Sequence, residues 1–335
     1  KEELKTWFKT AGQPEFRAEQ VWKAIYQTFR VSPDEITTLP KDLRRQMAES
    51  FSFNALSPVR AIESEDRQTL KTLFKLDDGN LIEAVLMYYE DRRTLCISSQ
   101  SGCGIGCSFC ATGQMGFRRN LTSGEIIAQV LYYARILDEE DERVSNIVMM
   151  GMGEPFQNYQ NVMEALDRLN SPEAMGLGAR RFTISTVGLV SKIKQFADED
   201  TQYNLAISLH TVDDELRSSL IPINNRYPVD ALLEACRYYV QKTNRRITFE
   251  YALIQGVNDS ISDAEALAKK IRGMLCHVNL IPLNSTVGFD EQPSSSSQAE
   301  AFCEVLDKHH IPCTIRLRRG IEIQAGCGQL AAENQ

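Results

Sequence analysis

The sequence has no apolar run near the roughly 20 residues that a membrane-spanning helix needs. It also lacks a charged start followed by an apolar secretory core, since the first ten residues read KEELKTWFKT. The chain opens on Lys instead of Met, which points to a trimmed start. Histidine is scarce, with four in 335 residues, and none lies near the closely spaced cysteines to complete a zinc knuckle. A positive balance is missing too: 37 Lys and Arg face 45 Asp and Glu, a net charge of -8, which argues against indiscriminate nucleic-acid binding. Local basic faces stay open, because phosphate contacts depend on clusters and not on totals. KDLRR (41–45), FRRN (117–120), ARR (179–181), NRR (244–246) and RLRR (316–319) are the candidates, although any one of them alone reads as a solvated face.

What is present is the composition of a globular protein, 43% hydrophobic and 24% charged, with a mean hydropathy of -0.29. The length suits one large domain and a small appendage. Nine cysteines, an odd number unevenly spread, favour reduced cytoplasmic thiols in metal or redox chemistry over a disulfide framework.

Residues 2–12, 15–30 and 40–50 read as short helices, a helical accessory domain over 1–55. From residue 66 the pattern alternates, with RQTLKTLFKL and LIEAVLMYY joined by DDGN. This predicts a β-hairpin extension within 56–95, followed by the strand TLCISS. Beyond it, helical segments such as TSGEIIAQVLYYARIL and PVDALLEACRYYVQKT alternate with apolar strands such as NIVMMGMGEP and RRITFEYALI. About six such repeats predict an α/β fold, a partial TIM-like (βα)6 barrel over 96–330 with its site at the strand C-terminal ends. The tract SSSS (294–297) reads as a loop.

Cys103, Cys107 and Cys110 stand in a Gly-rich loop, SSQSGCGIGCSFCATGQMGF. Three thiolates at these spacings suit one face of a metal cluster. Zinc usually takes four ligands as two separated pairs, whereas a [4Fe–4S] cluster held by three cysteines keeps one iron open to an external ligand. Cys236, Cys276, Cys303 and Cys313 fall on helix or strand patterns and read as core.

The CxxxCxxC spacing resembles the signature of the radical S-adenosylmethionine (SAM) superfamily, and the likeness extends along the chain. The loop with its extension FRRNLTSGEI, then MMGMGEP, ISTVGL, LAISLH, FEYALI, HVNLIPLN and AGCGQLA, resembles in order the RlmN branch of the RlmN/Cfr adenosine methyltransferases. This resemblance implies a radical SAM barrel with a [4Fe–4S] cluster on Cys103, Cys107 and Cys110, and two SAM molecules consumed per turnover. It implies methylation of adenine C2 in 23S rRNA, and in some members tRNA, through a methylated cysteine and a covalent protein–RNA adduct. The implied methyl carrier is Cys327, the resolving thiol that then forms a disulfide with it is Cys96, and the proton acceptor is Glu83. Gly153 and Glu154 match the segment that receives the SAM ammonium. Ser185, Ser208, Leu209, His210 and Asn284 match its carboxylate, ribose and adenine contacts. The helical domain over 1–55 and the basic clusters at 117–119, 180–181 and 316–319 are the expected RNA phosphate contacts, and a flavodoxin or ferredoxin reductant, a cytoplasmic setting and a monomer complete the expectation. The Cfr activity, methylation at adenine C8, is the nearest alternative. Pro155 after Glu154 favours the C2 branch, because Cfr proteins tend to carry alanine there. Gln324 and Gly326 stand where relatives read an acidic residue and alanine, with Cys327 unmoved.

Overall fold

The structure, a computed structural model, describes residues 1–316 and 318–331. Three helices open the chain: α1 (Glu2–Thr10), α2 (Phe16–Tyr26) and α3 (Lys41–Ser50). Each buries one apolar stripe, Phe8 on α1, Val21 and Trp22 on α2, Leu43 and Met47 on α3, as helical amphipathicity requires.

The strands β1 (Ser57–Glu63), β2 (Thr69–Lys75) and β3 (Leu81–Tyr88) follow as an antiparallel meander. The predicted hairpin is β2–β3, turned at Asp77–Asn80 with Gly79 at φ 85°. β1 went unseen in the sequence because nearly all of it is exposed, so it has no apolar alternation to read. β4 (Arg93–Cys96) pairs antiparallel with β3. After it, β5 (Gln100–Gly102) and β6 (Phe117–Asn120) form a two-stranded clip around the cysteine loop and the short helix α4 (Ala111–Gln114).

The remaining chain alternates. α5 (Ser123–Glu139) starts on a capping box, where the Thr122 hydroxyl accepts from Glu125 N–H and the Glu125 carboxylate accepts from Thr122 N–H. β7 (Asn146–Met149), α6 (Tyr159–Asn170), β8 (Phe182–Thr186), α7 (Val190–Asp198) and β9 (Asn204–Ser208) come next. α8 (Asp214–Leu220), α9 (Val229–Thr243), β10 (Ile247–Leu253), α10 (Ile261–Ile271), β11 (Cys276–Pro282), α11 (Ser296–Lys308) and β12 (Cys313–Ile315) complete the order.

One ten-stranded sheet runs β1-β2-β3-β4-β7-β8-β9-β10-β11-β12. From β4 onward every neighbour is parallel, and β4 and β12 do not pair among the described residues, so the barrel stays open. This is the expected partial TIM-like α/β barrel. Its parallel strands are apolar because helices cover their outer faces. Residues of the three N-terminal helices join the same hydrophobic core, and the Arg168 guanidinium of α6 lies 4.8 Å from the Trp22 ring centroid.

Three local expectations are corrected. Ser295 caps α11 and Ser296 begins it, so SSSS is a helix start and not a loop. Cys303 and Cys313 are not free core thiols but a disulfide joining α11 to β12. Strand alternation between the apolar Ile82 and Ala84 predicts a solvent-facing Glu83, yet β3 is buried on both faces and Glu83 is 6% exposed.

Candidate active site

The cysteine loop leaves the sheet at the C-terminal end of β4 and folds back on itself. Cys103 N–H donates to Gly116 O (3.0 Å), Cys110 N–H to Cys107 O (3.2 Å), and Ser108 N–H to Leu220 O (3.0 Å). Gly113 lets the turn close: a Cβ there would stand 2.8 Å from the Cys107 carbonyl oxygen. Ile105, Phe109, Leu220 and Ile221 pack around the loop, so Cys103 and Cys107 are buried.

Cys103, Cys107 and Cys110 line one cavity of about 150 Å³. Facing them at the strand ends are Gly153 and Glu154 after β7, Ser185 on β8, Ser208 and His210 at the end of β9, and Asn284 after β11. Sequence-distant positions are thus brought together where a parallel barrel gathers its loops. Leu209 does not share the lining; it is fully buried and its carbonyl accepts from Arg217 Nε (3.0 Å).

Gly153 holds φ 100° against Gln100, whose Cβ would lie 2.5 Å from any added Cβ. Glu154 is buried with both oxygens satisfied: Oε1 accepts from Phe156 N–H and Oε2 from Val187 N–H, each at 2.9 Å. Burial still pushes its carboxyl up to about 7. Burial drives His210 down to about 3, with the Arg217 cation adding to it. Its Nδ1 accepts from Ala252 N–H (2.8 Å), which leaves the ring proton on Nε2. His210 sits at φ 62°, and its ring meets Phe109 edge-on at 4.9 Å.

Glu250 on β10 lines the same cavity and was missed as a site residue, although FEYALI places a lone carboxylate inside an apolar strand. It is 4% exposed; Oε1 accepts from Asn279 Nδ2 (3.0 Å), and Oε2 is buried with no hydrogen-bond partner. A buried carboxylate oxygen without a donor is costly unless a ligand supplies one.

The C-terminal segment docks onto the cysteine loop. Ala111 N–H donates to Gly328 O (2.8 Å), Thr112 Oγ1 to Leu330 O (2.5 Å), and Asn284 Nδ2 to Cys327 O (3.1 Å). Cys327 therefore lines the cysteine cavity and also an adjoining second cavity that holds Cys96, Met150, Arg316, Arg318 and Arg319. Both thiols are free. Burial pushes Cys96 up to about 12. Desolvation also raises Cys327, opposed by the Arg316 guanidinium. Glu83 lines neither cavity. Its carboxylate pairs with Lys71 Nζ (3.1 Å) and accepts from Ala331 N–H (3.0 Å), anchoring the end of the same segment.

The donor set fits a multi-iron cluster. Among the described residues no three His, Cys, Asp or Glu side chains close on a single ion. A cubane does not ask this of them, since each thiolate binds a different iron.

Residues 97–270 match the family model described as Radical SAM superfamily, and residues 1–52 match the one described as Ribosomal RNA large subunit methyltransferase N-terminal domain. A Geobacillus kaustophilus protein named "Probable dual-specificity RNA methyltransferase RlmN" is 47% identical over 334 residues, covering 100% of this chain and 91% of that one. A Corynebacterium diphtheriae protein of the same name is 47% identical, with 98% and 90% covered. The crystal structure of a radical SAM methyltransferase from Sphaerobacter thermophilus is similar over 99% of this chain and 97% of that chain, at a TM-score of 0.96 and 50% identity. The chain belongs to the RlmN family of radical SAM RNA methyltransferases.

Proposed function

We propose that this enzyme methylates C2 of an adenosine in 23S rRNA, and an adenosine in tRNA, with two SAM molecules per turnover. The observation that carries the reading is the position of Cys327 in a wall common to two cavities, one with Cys103, Cys107 and Cys110, the other with Cys96. Cys103, Cys107 and Cys110 would hold a [4Fe–4S] cluster, and the strand-end residues would hold SAM. When bound, cluster and SAM supply a methyl group and a radical able to take hydrogen from an unactivated C–H bond. Adenine C2 is electron-poor and no nucleophile, so it cannot draw a methyl group from SAM by ordinary displacement.

The chain's own residues then divide the work. Gly153 and Glu154 receive the SAM ammonium, and Ser185, Ser208, His210 and Asn284 its carboxylate, ribose and adenine, while Leu209, buried behind that lining, is left out of the SAM contacts. Glu250 Oε2 adds an acceptor for the ribose hydroxyls. Cys327 Sγ takes the methyl group and carries the carbon to the base, and Arg316 beside it offsets part of the cost of its thiolate. Cys96 Sγ, as a thiolate, then attacks Cys327 Sγ: an S–S bond forms, the bond from Cys327 sulfur to the transferred carbon breaks with its electron pair left on carbon, and that carbon takes up a proton to become the methyl group. The resulting disulfide must take up two electrons from a thiol reductant before the next cycle, and a flavodoxin or ferredoxin partner would supply the low-potential electrons that a bound cluster needs. Glu83 is the proton acceptor of this scheme, and to take the C2 proton it first releases Ala331.

The test is anaerobic turnover on RNA labelled with deuterium at adenine C2 or at C8, read by mass spectrometry. Loss of the C2 label alone is the expected result. Loss of the C8 label alone would assign the Cfr-type reaction instead.

A further inference from the structure

The second cavity has a cationic side that sulfur chemistry does not require. Tyr89, Arg316, Arg318 and Arg319 line it beside the two thiols. The guanidinium carbons of Arg92 and Arg319 stand 4.3 and 4.5 Å from the centroid of the Tyr89 ring. Cation–π contact of this kind holds a flat guanidinium group in place, and a guanidinium plane stacks on a base as well as it bonds a phosphate.

These arginines are also short of counter-charge. Among the described residues, carboxylates pair with Arg30, Arg45, Arg93, Arg119, Arg135 and Arg168, but with none of Arg92, Arg316, Arg318 and Arg319. Glu250 acts on Arg316, and Arg319 acts on Asp66, only at longer range. Arg319 Nη1 donates to Tyr88 O (3.1 Å) and to Gln68 Oε1, while its Nε is buried without a partner. Arg318 Nε donates to Asn284 Oδ1 (3.2 Å), and Asn284 Nδ2 donates to Cys327 O (3.1 Å), so the rim is bonded through one amide to the proposed methyl carrier. In a chain of net charge -8, three guanidinium groups lining one opening and a fourth on the Tyr89 ring beside it, without carboxylate partners among the described residues, favour a polyanion there.

We infer that this rim seats the RNA strand flanking the target adenosine: Arg316 and Arg318 take its phosphates, the Arg92–Tyr89–Arg319 group stacks a neighbouring base, and the target base enters the cavity of Cys96 and Cys327. The inference rests on the RNA-methylating function proposed above. The other basic clusters fit this role less well. Arg119 is locked between Asp78 and Glu125. Arg180 and Arg181 precede β8, and Arg245 and Arg246 precede β10, at the strand ends opposite the site.

The test measures binding of a fluorescein-labelled RNA hairpin, with the adenosine in its loop, to the anaerobic holoenzyme over a range of salt. Arg92→Gln and Arg318→Gln are each expected to raise Kd by about fivefold and to flatten the log–log salt slope by about 0.7. Tyr89→Leu keeps apolar bulk but loses the ring, so it is expected to raise Kd with little change in slope. Arg92 is exposed, so its variant is expected to fold and to bind SAM with the wild-type Kd. If the wild type methylates the hairpin and all three variants keep its Kd and slope, the seat is overturned while the function stands. A wild type that neither binds nor methylates the RNA overturns both.

Discussion

Cys96 and Cys327 are the same residue type under different constraints. Cys96 ends a strand in the sheet, while Cys327 rides a Gly-flanked segment whose Gly328 and Leu330 carbonyls accept from Ala111 N–H and the Thr112 hydroxyl, and whose Cys327 carbonyl accepts from the Asn284 amide. In the proposed scheme the carrier must reach two ligands while the resolving thiol waits, and the glycines on either side of Cys327 suit the first role. Cys327→Ala is expected to abolish methylation, whereas Cys96→Ala leaves the adduct unresolved and traps protein on RNA. Denaturing gels with labelled RNA distinguish the two, and a Cys96 variant that turns over like wild type would remove the resolving role. Glu250 gives a second test at this scale. Glu250→Gln removes a buried charge with an unpartnered oxygen, so the cofactor-free protein should melt no lower than wild type. Its SAM Kd should rise about tenfold, equivalent to about 1.4 kcal/mol of charge-assisted hydrogen bonding. Titration calorimetry and thermal melting together check it, and an unchanged Kd would leave Glu250 with no part in SAM binding.

At the scale of elements, the site depends on where β12 and the segment after it are pinned. Arg316 follows β12 directly, and its N–H donates to Leu280 O on β11 at 2.8 Å. The Cys303–Cys313 disulfide ties the start of that strand to α11 across a separation of ten residues. Closing a loop of this size restrains the unfolded chain by roughly 2–3 kcal/mol. Cys303→Ser with Cys313→Ser should therefore lower Tm by several degrees under non-reducing conditions. Reductant should lower wild-type Tm toward the same value and leave the double variant unmoved; calorimetry with and without dithiothreitol reads both. Most elements were legible because their apolar period was clear, as in α5, α9 and the buried strands β8 to β11. β1, β5, β6, α4 and α8 were not. β1 is exposed, while β5, β6, α4 and α8 are too short for a period to show.

Across the whole molecule, burial at the barrel mouth couples stability to pH. His210 titrates near 6.5 when exposed and near 3 when folded, so the folded state refuses a proton that the unfolded chain accepts. Its contribution is complete above about 6.5 and is lost as pH falls toward 3, by about 1.4 kcal/mol per pH unit. Between pH 7 and 5 protonation of His210 costs the cofactor-free protein about 2 kcal/mol, and Glu154, raised to about 7 in the same cavity, contributes about as much with the opposite sign. His210→Gln, which keeps an acceptor for Ala252 N–H, should therefore gain stability relative to wild type as pH falls from 7 to 5; denaturant melts at several pH values test it, and parallel curves would refute it.

The order of helices and strands, the (βα) repeat, the three-cysteine spacing and the family motifs were all determined by the sequence alone, because each is a local pattern or a linear string. Which thiols face which cavity was decided only by tertiary structure. Cys96 and Cys327 lie 231 positions apart and meet because an open parallel barrel returns each strand's C-terminal end to one mouth. The same closure buried Glu83 behind the C-terminal segment, set Glu250 with its unpartnered oxygen in the wall of the cysteine cavity, and joined Cys303 to Cys313. Alternation along a strand separates its two faces but cannot say what covers either one. Side-chain chemistry is written locally, whereas solvent exclusion and charge pairing belong to the packed chain.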